Sequence, residues 1–134
     1  MEYGYRTSIL KRQTLKFVVL WAELRLEHST KEAVSVKIGE FSGRRKATQP
    51  PGASMGSMFK NPPGDFAGRL IEAAGLKGTR IGTAEISPVH ANFFINHGQT
   101  RAEDVRALAN LAQKTVAEKF GVNLELEIEL IGEW

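Results

Sequence analysis

The sequence predicts an α+β domain, with a small sheet and helices packed on one face of that sheet. A long helix is indicated at residues 101–120, and a strand with one apolar face is indicated at 124–130. Two further strand patterns, 83–87 and 92–96, are separated by a short turn. The predicted order of elements is β-α-β-α-β-β-α-β, and 134 residues suffice for one ordinary domain.

The amino-terminal part is predicted to contain a strand followed by a helix. Residues 15–27 have a strand pattern, in which Leu20, Ala22, Leu24 and Leu26 alternate with Trp21, Glu23 and Arg25. Residues 29–46 are predicted to be helical, with Ser29 or Thr30 as the amino-terminal cap. The sparse apolar stripe of this helix consists of Val34, Ile38 and Phe41.

The middle of the chain begins with an exposed loop. Residues 49–56 are assigned to this loop because they include two prolines followed by a glycine. The next predicted element is a short apolar segment, Met58-Phe59. A helix is then predicted over 65–74, with Asp65 as its cap and Gly75 as its left-handed carboxyl-terminal residue. Its buried face is predicted to contain Phe66, Leu70, Ile71 and Ala74.

The best-marked element is the helix over 101–120. Thr100 and Glu103 have the spacing of a capping box, and Gly121 follows the last helical residue. The spacing of apolar residues predicts a buried stripe formed by Val105, Leu108, Ala109, Ala112, Val116 and Phe120.

Three glutamates share one face of the final predicted strand. Leucine or isoleucine stands at positions 124, 126, 128 and 130, and Glu125, Glu127 and Glu129 alternate with them. An acidic face exposed to solvent is the simpler interpretation. The alternative is that one enclosed carboxyl among these like charges serves in acid–base chemistry.

Composition and charge limit the classes of function. The absence of cysteine excludes disulfides, a thiol nucleophile and cysteine metal sites, and no other pattern indicates a metal. The longest apolar run has six residues, 17–22, so no membrane span is predicted, and we expect a cytoplasmic protein. Residues 1–60 have a net charge of +6 and residues 61–134 a net charge of −3. A basic half permits nucleic-acid binding, but no nucleic-acid motif accompanies it, so none is predicted.

Two polar clusters are candidate binding sites. Residues 56–62 place a serine, a lysine and an amide beside glycine and proline, an arrangement that suits an anion but also an ordinary polar turn. His90 and Asn92 lie around the second short strand. A role in hydrogen bonding at the tip of a hairpin accounts for these polar residues at least as well as a role in ligand binding. His97 lies seven residues from His90 without an acidic partner pattern, so zinc binding is not predicted.

Eight segments together resemble a known family. They are Tyr5-Arg6-Thr7-Ser8, Gln49-Pro50, Gly56-Ser57-Met58-Phe59-Lys60-Asn61-Pro62-Pro63, Ala67-Gly68-Arg69-Leu70-Ile71, Ala74-Gly75-Leu76-Lys77-Gly78, Ile81-Gly82, His90-Ala91-Asn92-Phe93, and the run from Gly121-Val122 through Ile131-Gly132. In this order they resemble the carboxyl-terminal, substrate-binding half of UDP-N-acetylenolpyruvoylglucosamine reductase, also called UDP-N-acetylmuramate dehydrogenase.

The resemblance implies a reaction in bacterial peptidoglycan synthesis. In that family NADPH reduces FAD, and the flavin passes hydride to UDP-N-acetylglucosamine enolpyruvate, giving UDP-N-acetylmuramate. Ser57 stands at the position of the family's proton donor. Glu127 stands at the position of a glutamate that assists beside the substrate carboxyl.

The resemblance also implies a set of substrate-binding residues and a missing partner. The candidate substrate-binding residues are Tyr5, Arg6, Lys60, Asn61, His90 and Asn92. Residues 1–27 are expected to be the closing strand of a flavin domain, and residues 28–134 the substrate-binding domain. The family's flavin-binding segments do not occur in this sequence. We therefore expect this chain to bind neither FAD nor NADPH by itself, and to be inactive without a flavin-binding amino-terminal half.

Two alternatives of other classes remain at this level. The chain could be a stand-alone module that binds a UDP-sugar or another anion, which would need Lys60 and Asn61 but not Ser57. It could also bind nucleic acid through its basic half, in which case its affinity would fall steeply with salt.

Overall fold

The computed structural model describes residues 3–12 and 18–132, and the chain forms two compact units, residues 1–42 and 43–134. The elements in chain order are α1 (Ile9–Arg12), α2 (Lys31–Thr48), β1 (Ala53–Ser57), α3 (Ala67–Ala73), β2 (Arg80–Ile81), β3 (Ala84–Ile86), β4 (Phe93–Asn96) and α4 (Ala102–Phe120). This content confirms the predicted α+β class. No helix among the described residues is long and apolar enough to cross a membrane.

The second unit is built on a four-stranded sheet in the order β1-β4-β3-β2, with every neighbouring pair antiparallel. The central strands β3 and β4 confirm the predicted strands at 83–87 and 92–96 to within two residues at each end. Helix α4 packs on β2 and β3, and α3 packs on α4. All three residues of β3 are buried.

The core lies between the sheet and these two helices. Leu108, Ala109, Ala112 and Val116 of α4 are buried, which confirms the central part of the predicted stripe, whereas Phe120 at its end is 40% exposed. The prediction for α3 is confirmed for Leu70, Ile71 and Ala74 but is wrong for Phe66, which is exposed. Met58 and Phe59 are fully buried, and the Phe59 ring meets the edge of Phe94 with centroids 6.2 Å apart.

The helix ends only partly follow the local signals. Thr30 caps α2 as predicted, since its hydroxyl oxygen accepts from the backbone N–H of Ala33 at 3.2 Å. The predicted capping box of α4 is wrong because the Thr100 hydroxyl bonds the Thr83 hydroxyl at 2.8 Å, and Arg101 occupies the cap position. Gly121 ends α4 with φ of +68°, and Gly75 follows α3 with φ of +83°, both as predicted.

Helix α3 begins two residues later than predicted. The Asp65 carboxylate accepts from the backbone N–H of Phe66 at 2.7 Å, and the Asn61 side-chain oxygen accepts from the N–H of Ala67 at 3.0 Å. The side chain that accepts from the first helical N–H therefore belongs to a residue six positions upstream. That is too far along the chain for a local capping pattern to predict it.

The prediction of a loop over 49–56 is wrong for its second half, where β1 pairs with β4. The pairs Ser54 with Ile95 and Ser57 with Phe93 differ in register, so a bulge lies between them. Gly56 has φ of +87° within this bulge. Backbone pairing with the edge of β4 outweighs the turn-forming composition of this stretch.

The predicted strands at the two ends of the chain are largely absent from the described residues. Residues 15–17 lie outside them, and residues 18–27 are exposed and adopt neither helix nor strand. A strand needs a neighbour for its backbone groups, and none of the described residues pairs with this segment. At 124–130 the pairing is limited to a bridge between Phe59 and Leu126, although Leu124 is buried as the alternation predicts.

Candidate functional site

Residues 57–60 run directly from the end of β1 and are held by two other parts of the second unit. The backbone N–H of Met58 donates to the carbonyl of Asn92 at 2.8 Å. The Met58 carbonyl in turn accepts from the N–H of Glu127 at 2.9 Å, and the N–H of Lys60 donates to the Glu125 carbonyl at 2.8 Å. The segment that carries the predicted proton donor therefore lies next to both the histidine–asparagine turn and the glutamate segment.

Asn92 clamps this segment through its side chain. Its amide oxygen accepts from the Phe59 N–H at 2.9 Å, and its amide nitrogen donates to the Phe59 carbonyl at 2.8 Å. Asn92 is only 3% exposed, and Phe59 is fully buried. Both polar ends of the amide are thus occupied by backbone, and the clamp fixes the residues immediately after Ser57.

Ser57 is half-buried at the end of β1. Its hydroxyl makes no hydrogen bond to the residues that the structure describes. Glu127 is half-buried and is joined through its backbone to Met58, the residue that follows Ser57. The structure therefore places Ser57 and Glu127 on backbone segments that are hydrogen-bonded to each other.

Lys60 forms an ion pair with Glu125, and the backbones of the two residues are hydrogen-bonded as well. The Lys60 side chain is 26% exposed and that of Glu125 is 73% exposed, so the pair lies at the surface of the site. Among Glu125, Glu127 and Glu129, it is therefore the negative charge of Glu125 that is paired with Lys60.

Asn61 is exposed, and its side chain orients the loop that leads into α3 through its bond to Ala67. At the same loop the Asp65 carboxylate receives hydrogen bonds from the Arg69 guanidinium and the Phe66 N–H, which lower the pKa of Asp65 to about 2. The loop over 61–66 is thus held at both ends by side-chain contacts.

His90 is held by three neighbours. Its Nδ1 accepts from the backbone N–H of Asn92 at 3.2 Å, and its ring meets the edge of Phe93 with centroids 4.9 Å apart. The third neighbour is Gly68 of α3, which lies directly against the ring. His90 is half-buried, so one part of the imidazole faces solvent.

Tyr5 and Arg6 lie in the first unit, where the guanidinium carbon of Arg6 is 5.7 Å from the centroid of the Tyr5 ring. The other predicted residues, Ser57, Lys60, Asn61, His90, Asn92 and Glu127, all lie in the second unit. Across residues 3–12 and 18–132, no group of three or more histidine or acidic side chains could hold a metal ion.

Two residues of this site were not singled out from the sequence. Glu125 could not be separated from the two other glutamates because alternation makes them equivalent. Gly68 did carry a signal, since a glycine inside a helix is less stable than alanine there and so indicates a close neighbour.

A second charged cluster joins strands β2 and β3 to the residue that follows β4. Glu85 of β3 is only 7% exposed, and its carboxylate contacts both Arg80 of β2 and His97. The pKa of Glu85 is lowered below its ordinary value of 4.5, mainly by the hydrogen bond from Arg80 and secondly by the hydrogen bond with His97.

The lowered pKa of Glu85 predicts a pH dependence of stability. Because the folded state holds the charged form, the contribution of Glu85 to the free energy of unfolding is complete above pH 4.5 and is lost as pH falls below it. We expect Glu85→Gln to flatten the stability profile between about pH 6 and pH 3, measured by urea unfolding. An unchanged profile would contradict this prediction. Glu118→Gln, which replaces an exposed carboxylate of α4, is the matched control and should leave the profile nearly unchanged.

Comparisons with known proteins agree with these features. Residues 47–131 match the family described as UDP-N-acetylenolpyruvoylglucosamine reductase, C-terminal domain. The chain belongs to this family. A UDP-N-acetylenolpyruvoylglucosamine reductase of Chloroflexus aggregans is 54% identical over 134 residues, which cover 98% of this chain. One from Caldicellulosiruptor bescii is 53% identical over 137 residues, covering the whole chain.

The family assignment also holds at the level of structure. The crystal structure of UDP-N-acetylenolpyruvylglucosamine reductase from Thermus caldophilus superposes with a TM-score of 0.65 at 46% identity, covering 78% of this chain and 37% of that one. The chain spans only 45% of the Chloroflexus aggregans relative and 43% of the Caldicellulosiruptor bescii relative. It thus corresponds to less than half of the length of these proteins.

Proposed function

We propose that this chain is the substrate-binding half of an FAD- and NADPH-dependent UDP-N-acetylenolpyruvoylglucosamine reductase of peptidoglycan synthesis. The observation that supports the proposal is the backbone hydrogen bond that joins Glu127 to Met58, the residue after Ser57, in a chain of this family. The substrate of the complete enzyme is UDP-N-acetylglucosamine enolpyruvate, and the product is UDP-N-acetylmuramate.

In this proposal Ser57 supplies the proton that completes the reduction. Its O–H bond breaks as a C–H bond forms at the enolate carbon, and the resulting alkoxide then takes a proton from solvent water. A serine hydroxyl is a weak acid, so the step requires a strongly basic carbon within hydrogen-bond reach. A hydroxyl without a partner among the described residues suits that task, and the Glu127 carboxyl would stabilise the enolate form of the substrate carboxyl.

The other candidate residues would bind and orient the substrate. Lys60 and Asn61 offer a cation and an amide for the diphosphate or carboxylate, with Lys60 exchanging its contact to Glu125 for the ligand. His90 would contact the substrate through its exposed edge. Asn92 would act by holding the segment that bears Ser57, because both ends of its amide are occupied by Phe59. Tyr5 and Arg6 are also proposed to bind the substrate.

Neither of the two cavities lined by described residues fits a flavin. The two described cavities of the second unit measure about 270 and 380 Å³, and no glycine lines either of them. They lie at the small end of the range for small-molecule pockets, and neither offers the glycine-rich backbone that cradles a diphosphate. We propose that FAD, NADPH and the hydride step belong to the amino-terminal half, and that this chain alone is inactive.

Residues 1–27 are proposed to complete the sheet of that missing half, and residues 28–134 to form the substrate-binding domain. Apolar side chains at 18–26 are exposed, including Leu20 at 86%, Trp21 at 77% and Leu26 at 84%. Alternating apolar residues without a pairing strand among the described residues suit addition to the edge of another sheet. The partner is thus a flavin-binding half, in the same polypeptide or in another.

The test begins with flavin. Mixing the purified chain with FAD and removing free flavin by gel filtration is expected to leave a protein without the visible flavin band. Joining the chain to the amino-terminal half of the Chloroflexus aggregans relative is expected to restore flavin binding and substrate-dependent NADPH oxidation. A yellow isolated chain would contradict the proposed division. A flavin-loaded fusion that binds the UDP-sugar without turnover would instead indicate a binding module.

A further inference from the structure

We propose that Gly68 is a positioning residue that makes room for the imidazole of His90 and, with the Asn92 backbone, holds it as the Nε2–H tautomer. The inference rests on the proposed role of His90 at the substrate. It adds a residue of α3 to the site, and it states which nitrogen of His90 can donate to a ligand.

The close approach of Gly68 and His90 is the first observation. A Cβ atom built on Gly68 would lie 2.9 Å from Cε1 of His90 and 3.3 Å from its Nδ1. The first distance is shorter than real Cβ contacts, so any side chain at position 68 would push the ring. The backbone of Gly68 has no left-handed φ, and the glycine is therefore explained by this contact.

The tautomer follows from the hydrogen bond to Asn92. A backbone N–H can only donate, so the Nδ1 atom that meets it at 3.2 Å accepts and carries no proton. In the neutral ring the proton then resides on Nε2. Within the described chain Nε2 of His90 has no hydrogen-bond partner, which leaves it as a donor for an acceptor atom of the ligand.

The ring has little freedom to turn. The ring of Phe93, the residue that pairs with Ser57, contacts the His90 ring edge-to-face with an interplanar angle of 64°. His90 is therefore restrained by Gly68 of α3 and by Asn92 and Phe93, the segment that also pairs with Ser57 and Met58. A methyl group at position 68 is expected to rotate the ring and to break the Asn92 hydrogen bond.

The experiment is nitrogen-15 NMR of the whole 134-residue chain at about pH 8.5, well above the ordinary histidine range. In the unchanged protein we expect one protonated His90 nitrogen, Nε2, and one unprotonated nitrogen, Nδ1. In Gly68→Ala we expect a mixture of tautomers and an upfield shift of the Asn92 amide proton. Retention of the single tautomer and of the Asn92 shift would overturn the proposal.

Two further variants keep the test decisive. Gly43→Ala is the matched control, because it also adds a methyl group to a helix and has open space around it, and it should leave His90 unchanged. In a His90→Ala background, Gly68→Ala should no longer shift the Asn92 amide proton. If Gly68→Ala alone does not fold, removal of the His90 ring in the double variant should restore folding. An equal shift of the Asn92 amide proton in the double variant, or failure of the double variant to fold, would refute the proposal that Gly68 acts through the His90 ring. These readouts do not depend on whether the substrate roles are correct.

Discussion

Replacing Ser57 with alanine in the complete reductase, formed by joining this chain to a flavin-binding half, is expected to lower turnover by about 10²- to 10⁴-fold. The hydroxyl is the proposed proton source, and it makes no hydrogen bond to the described residues whose loss would disturb the fold. Substrate affinity should therefore stay nearly unchanged. The measurement is substrate-dependent NADPH oxidation together with the dissociation constant of the UDP-sugar.

Ser54→Ala is the matched control for this prediction. Ser54 lies on the same strand, three residues earlier, and is exposed. Its replacement should change neither turnover nor affinity. Full turnover of Ser57→Ala would disprove the proton-donor role, and a parallel loss of affinity would assign Ser57 to binding.

The second large effect concerns Asn92. Replacing it with leucine leaves the buried N–H and carbonyl of Phe59 without partners. Each unsatisfied buried group costs about 1–3 kcal/mol, so the free energy of unfolding is expected to fall by roughly 2–6 kcal/mol. That is a large part of the total stability of about 5–15 kcal/mol that is typical of a domain. Urea unfolding of the two proteins measures the difference.

Asn123→Leu provides the comparison, because Asn123 is exposed and its replacement should stay within about 0.5 kcal/mol. A loss below about 1 kcal/mol for Asn92→Leu would mean that Phe59 finds other partners. The clamp on the segment after Ser57 would then not be essential to the site.

Local signals predicted the helices and their glycine ends well. The stripe of α4 requires only a 3.6-residue period, and a left-handed residue such as Gly121 requires only the absence of a side chain. The central strands β3 and β4 were also found from their short apolar patterns. The resemblance of several segments to the reductase family, including the Gly56–Pro63 block, identified the candidate site residues.

Contacts between distant segments decided what local patterns could not. Strand β1 exists because the edge of β4 pairs with a stretch whose composition favours a turn. Conversely, apolar side chains alternate along residues 18–27, but this segment forms no strand because none of the described residues pairs with it. Secondary structure in a sheet thus depends on a neighbour as much as on the sequence of the strand.

The sequence by itself determined the fold class, the long helix and the residue types of the site, because periodicity, glycine and side-chain chemistry are local properties. Only the tertiary structure decided that Thr100 bonds Thr83 rather than its own helix, that Lys60 pairs with Glu125, and that His90 lies on Gly68. Each of these contacts joins residues at least 17 positions apart, and the partner is chosen by packing in three dimensions.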